Sequence, residues 1–125
     1  MSKGKRHSIL WRDECEAGNY PAALSFLSLI YEPKLARKLV QRLRKSELSE
    51  FKAKDIFRAS GLSLLGVSNF HVEKDRNKVM RGKRLSPLLL VRAPEHGKVI
   101  IADGYHRLCA VYSFDEDVLV RCKIA

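Results

Sequence analysis

The segment from Val99 to Ala110 reads Val-Ile-Ile-Ala-Asp-Gly-Tyr-His-Arg-Leu-Cys-Ala. It sets an apolar run, a glycine turn and the start of a helical stretch in direct succession. The amides that open a helix have no partner inside it and carry partial positive charge, so such a turn is a ready anion site. Gly104 lets the backbone approach a ligand closely. Arg107 offers paired donors that suit a phosphate, and His106 adds a donor whose charge changes near neutral pH. Gly104, Tyr105, His106 and Arg107 are therefore the candidate phosphate-binding residues. The competing reading of the same residues is a plain strand-to-helix turn, with Asp103 as the N-cap and Arg107 in solvent.

The elements that must position this turn follow from periodicity and punctuation. Leu88-Leu89-Leu90-Val91 after Pro87 is a continuous apolar run, as expected of a strand buried on both faces. Ala93-Pro94-Glu95-His96-Gly97 is turn chemistry, so 88–91 and 99–102 form a hairpin. Residues 105–113 make a helix with Leu108, Val111 and Tyr112 inward. Val118 to Ile124 then closes the sheet with Val120, Cys122 and Ile124 on one face. Upstream, residues 71–81 read as a helix with Val72, Val79 and Met80 inward, ended by Gly82.

Earlier still, Pro21 opens a mostly buried helix over 21–31. Pro33 starts a second, amphipathic one to about Lys45, with Leu35, Ala36, Leu39, Val40 and Leu43 on its apolar face. Phe51 to Phe57 reads as a short strand and 60–69 as a loop. The expected organisation is a basic flexible tail over 1–12, a helical hairpin over 13–50 and an α/β domain over 51–125, with Trp11 and Tyr20 stapling the tail to the body.

Lys and Arg number 24 against 14 Asp and Glu, a net charge of +10, which favours polyanionic partners. Lys34, Lys38, Arg42 and Lys45 lie on one helix, and the stretch from Lys74 through Arg81, Lys83 and Arg84 is basic as well. Such stripes bind nucleic acid without regard to sequence, although a solvated face is the commoner meaning of a charge run. The cysteines Cys15, Cys109 and Cys122 are odd in number and have no CxxC spacing. A disulfide framework is therefore not expected and a reducing cytoplasm fits better. No segment approaches the ~20 apolar residues of a membrane span, and no zinc-ligand spacing exists, so neither a membrane nor a bound metal is expected from the residue pattern.

The run Asp103-Gly104-Tyr105-His106-Arg107-Leu108-Cys109-Ala110 resembles the glycine-x-x-arginine box of the ParB/sulfiredoxin superfamily. Ser86-Pro87-Leu88-Leu89-Leu90-Val91 is similar to the strand that leads into that box. The resemblance spans roughly residues 50 to 125. It implies a small mixed α/β sheet carrying helices, to which the N-terminal helical hairpin is an addition, and a nucleotide or other phosphate-bearing ligand. The ParB box, Gly-Glu-Arg-Arg-x-Arg-Ala, holds a triphosphate. Gly104, Arg107 and Ala110 match it, whereas Tyr105, His106 and Cys109 do not.

In sulfiredoxin the nucleophilic cysteine stands where this chain has Tyr105, so that chemistry is not expected, and Cys109 reads as a small core residue. The Asp-Gly-His-His-Arg of the ADP-dependent free serine kinases is the nearest likeness. It implies catalytic roles for Asp103 and His106, Mg²⁺ with the nucleotide, and phosphotransfer or nucleotide hydrolysis as the reaction. An acidic partner would come from Glu73, Asp75, Glu95 or Glu116. The alternative is a non-catalytic DNA-binding or adaptor module that uses the basic helices 34–45 and 74–84, with a homodimer as the assembly to test for.

Overall fold

The computed structural model describes residues 8–66 and 68–125. Lys3, Lys5 and Arg6 of the expected tail lie outside the described residues. The tail does not reach residue 12, however. Trp11 is buried, its neighbour Arg12 donates its amide to the Leu85 carbonyl at 2.8 Å, and the Leu85 amide returns to the Leu10 carbonyl at 2.8 Å. A large aromatic surface left in water would forfeit its burial free energy, and this short bridge recovers it.

Helix α1 (Asn19–Leu27) and helix α2 (Pro33–Lys45) form the expected hairpin. α1 is shorter than the sequence suggests. It stops at Leu27, the chain turns through Ser28 to Tyr31, and Phe26 and Ile30 stand half in solvent instead of in the core. α2 has the predicted bounds. Pro33 sits in its first turn, Glu32 is extended before it, and Ala36, Leu39, Val40 and Leu43 are buried. Leu35, expected on that apolar face, is exposed at its edge.

The sheet has four strands: β1 (Ser49–Lys52), β2 (Leu88–Ala93), β3 (Lys98–Asp103) and β4 (Leu119–Ile124), in the spatial order β1-β4-β2-β3. β2 and β3 are an antiparallel hairpin joined through a short turn at Pro94–His96. β4 runs parallel to β2 and antiparallel to β1. The expected strand over 51–57 is corrected: it begins earlier, ends at Lys52, and gives way to helix α3 (Ala53–Ser60). Ala53, Ile56 and Ser60 recur at helical spacing and are all buried, so the small residues carry the period that Ile56 and Phe57 obscure.

β2 supplies both cores. Leu89, Val91 and Ala93 pack with α1 and α2 on one side. Leu88 and Leu90 pack on the other with α3 and helix α5 (Tyr105–Phe114). Helix α4 (Phe70–Met80) lies against α5, where Val72 meets Cys109 and Ala110. The fold is a mixed α/β sheet between two helical layers. Met80, expected inward, is half exposed at the end of α4, and Gly82 turns the chain with φ +70°.

Alternation on β4 places Val120 and Cys122 in the α3/α5 core, as expected. The opposite face carries a residue the apolar pattern could not mark. Lys123 is buried and donates to the Glu14 carboxylate at 3.2 Å, the Tyr20 hydroxyl at 3.1 Å and the Arg44 carbonyl at 3.1 Å. All three ammonium donors are used, which is the condition for burying such a charge. Among the described residues, no helix is long and apolar enough to cross a membrane.

Candidate functional site

β3 ends at Asp103 and α5 begins at Tyr105, so Gly104 alone makes the turn. It adopts φ +107° and ψ 13°, a region that L side chains avoid. A methyl group there would lie 2.7 Å from Leu88 Cγ and 2.9 Å from Arg107 Nη2. The glycine is therefore required by its own backbone and by the packing of β2 beneath it. No side chain caps α5, so Asp103 is not the N-cap of the competing reading.

The carboxylate of Asp103 serves Arg107 instead. Arg107 Nη2 donates to Asp103 Oδ2 at 3.1 Å and to the Pro87 carbonyl at 3.3 Å, and the side chain is only 16% exposed. The guanidinium is thus anchored across the base of the turn and does not stand in solvent. Its Nε is buried and has no hydrogen-bond partner among the described residues. Tyr105 gives its hydroxyl to the Ser63 carbonyl, which ties the chain at Ser63 to α5. The phenol is committed to that loop, and its amide is the part of Tyr105 that remains at the turn.

Room remains above the turn. A polar cleft of about 160 Å³ is lined by residues 103–107 and by His71, Lys74, Asp75 and Lys78 from α4. Asn69 fixes the start of α4 by accepting from the amides of His71 and Val72 at 3.0 and 3.2 Å. The His71 ring then lies 4.8 Å from that of His106, centroid to centroid. Burial holds His106 below the ordinary imidazole range. The nearby His71 and Arg107 act in the same direction, and Asp75 opposes them. Its ring therefore favours the neutral form more than a free imidazole does, and a bound anion would favour the protonated form.

Three cations, Lys74, Lys78 and Arg107, and two carboxylates, Asp75 and Asp103, line this cleft. Of the four acidic partners considered, only Asp75 reaches it, mostly buried and 3.8 Å from Lys78. Glu95 accepts from the Tyr31 hydroxyl, Glu116 lies by the start of α3, and Glu73 faces the other side of α4. From the sequence alone, His71 has no role, and Lys74 and Lys78 count only as part of the basic stretch 74–84, not as partners of the turn. Their spacing of three and four along α4, in phase with Asp75, is the signal that groups them. Among the described residues, no cluster of three or more His, Cys, Asp or Glu is arranged to hold a metal.

The two basic stretches do not make one surface. Lys34, Lys38, Arg42 and Lys45 belong to α2, which packs on the opposite face of the sheet from α4. Arg84 donates to the Trp11 carbonyl at 3.0 Å and so helps to hold the N-terminal bridge. Arg81 and Lys83 line a second hollow, of about 330 Å³, together with Phe70, Glu73, Lys74, Asn77 and Lys78. Lys74 and Lys78 border both hollows.

Comparison with models of known protein families, with curated proteins and with solved structures finds no match to this chain.

Proposed function

We propose that this chain binds a phosphate-bearing ligand, a nucleotide, in the cleft between α4 and the first turn of α5. The observation that carries the reading is the cleft itself. An uncapped helix start at Gly104 opens onto a hollow lined by Lys74, Lys78, His71, His106 and Arg107. Helix-start amides and converging cations are the usual means of holding phosphate oxygens. The resemblance of residues 103–110 to the ParB/sulfiredoxin box supports the same ligand class. Free, buried cysteines are in keeping with a reducing compartment such as the cytoplasm.

The arrangement supports binding further than transfer. Asp103, the residue that the kinase likeness assigns to Mg²⁺ or to a proton, is paired with Arg107, and Asp75 is paired with Lys78. Mg²⁺ is held by carboxylates together with phosphates, and here both carboxylates are already engaged. The residues do not fit a preformed metal site.

Thermal denaturation with CTP, ATP and ADP, each with and without Mg²⁺, tests the proposal. At a hundredfold excess over Kd, a ligand that binds only the folded state raises Tm by on the order of 10 °C for a domain of this size. Arg107→Ala and the pair Lys74→Ala/Lys78→Ala should each remove most of that rise. A flat response to every nucleotide and to inorganic phosphate, alongside salt-sensitive binding of duplex DNA, would favour the adaptor reading instead.

A further inference from the structure

The second hollow beside α4 is a strongly charged patch that the nucleotide reading leaves unused. Lys74, Lys78, Arg81 and Lys83 line it, against a single carboxylate, Glu73. Among the described residues, Lys74, Arg81 and Lys83 make no salt bridge, and Lys78 alone has one, to Asp75. Phe70 stands at the rim with 72% of its surface exposed, its ring edge-on to His71. An exposed phenylalanine loses burial free energy and gains nothing from water, so this ring is available to a partner.

The two hollows flank a ridge made by Lys74 and Lys78. Phe70, Glu73 and Asn77 of α4, and Arg81 just past its end, fall on one side of that ridge, and His71 and Asp75 on the other. A ligand whose phosphate occupies the α5 cleft has a cationic path out of it, over the ridge and toward Arg81 and Lys83. Successive cations with an exposed ring beside them match a chain of phosphates that carries unstacked bases. A duplex offers phosphates but no free base face, so Phe70 would have nothing to stack on.

We infer that the ligand of the α5 cleft is the phosphorylated end of a single-stranded nucleic acid, whose next nucleotides cross the Lys74–Lys78 ridge with a base stacked on Phe70. The inference rests on the proposed phosphate site and names its ligand class. The cleft takes the terminal phosphate, the ridge and the Arg81–Lys83 end take the following phosphates, and sequence is not read.

Fluorescence anisotropy with labelled 12-mers tests this, in DNA and RNA arms, with 5′-phosphate, 3′-phosphate or hydroxyl ends. One phosphorylated end should bind at least fivefold tighter than the hydroxyl form, and Arg107→Ala should erase that difference. Phe70→Ala should weaken single strands roughly tenfold and leave duplex binding unchanged. Four phosphate contacts give a slope of roughly −3 for log affinity against log salt, which Arg81→Ala/Lys83→Ala should reduce by about half.

Three results would overturn the inference. Equal losses from Lys34→Ala/Lys38→Ala on the far side of the sheet would reduce the binding to general charge. Binding of nucleotides with no gain from an attached strand would reject the strand and leave the nucleotide reading standing. Indifference to both nucleotides and terminal phosphates would reject the two together.

Discussion

Replacing Gly104 with alanine separates the two reasons a glycine stands at the turn. At φ +107° an L residue is strained, at a cost of about 1–2 kcal/mol. The new methyl would also lie 2.7 Å from Leu88 Cγ, inside ordinary contact distance. Leu88 is fully buried and cannot swing away, so the core must shift, which costs about 1–3 kcal/mol. The other close atom, Arg107 Nη2 at 2.9 Å, ends a flexible chain and can yield, but only by disturbing its 3.1 Å bond to Asp103. Together these give a loss of about 2–5 kcal/mol, a large share of the ~5–15 kcal/mol that holds a small domain together.

Urea denaturation followed by the fluorescence of Trp11, the only tryptophan, measures this directly. Leu88→Ala in the same background makes room for the methyl. The double variant should then be less damaged than the sum of the singles, because the two sites touch. Asparagine tolerates positive φ better than alanine, yet carries the same Cβ. Gly104→Asn should therefore recover the dihedral part of the loss and none of the packing part. A Gly104→Ala protein within 0.5 kcal/mol of the parent would refute the left-handed turn and, with it, the placement of the α5 amides.

Two further outcomes follow from the same geometry. His106 titrates below the usual imidazole range when the cleft is empty, chiefly because it is buried. A bound anion should raise its pKa, so affinity for sulfate should grow as pH falls through the bound-state value and level off below the free-state value. NMR titration of the His106 ring with and without sulfate reads this, and an unmoved or lowered pKa would place the anion elsewhere. Truncation through residue 12 removes Trp11 together with the bonds that the Leu10 carbonyl and the Arg12 amide make to Leu85. That truncation should cost about 3–5 kcal/mol, the usual price of truncating a buried tryptophan; a melting temperature equal to that of the full chain would show Trp11 to be dispensable.

What the sequence discloses depends on whether the signal is local. α2 is legible because Pro33 and an unbroken apolar stripe mark it, and β2 because Leu88 to Val91 has no polar residue to dilute the run. α3 is hidden because its inward positions are Ala53, Ile56 and Ser60, and two of the three are too small to stand out as core. Met80 and Phe26 mislead for the opposite reason. Both are apolar in the right phase, but each lies where its helix runs past the surface it covers. The turn at Gly104 is legible as a turn. The direction of Arg107 is not, since Pro87 and Asp103 meet it only after β2 and β3 have paired. Likewise, nothing local says that α4 will bring Lys74 and Lys78 to the mouth of α5.

The N-terminal hairpin is joined to the site through the segment that enters β2. Ser86 bonds to Asn19 of α1 and accepts the Glu16 amide at 3.0 Å, while Cys15 Sγ donates to the Pro87 carbonyl at 3.6 Å. That same carbonyl accepts from Arg107. The next residue, Leu88, lies under Gly104, and the one after it, Leu89, points into the α1/α2 core. Residues 86–89 are therefore gripped from both helical layers, and the turn that opens α5 rests on them. Under the proposed reading, stiffness at this point matters, because amides and a guanidinium favour an anion only if they are aimed before it arrives. The hairpin does not line the cleft; it braces residues 86–89 from the other side of the sheet, while α4 supplies the charged rim.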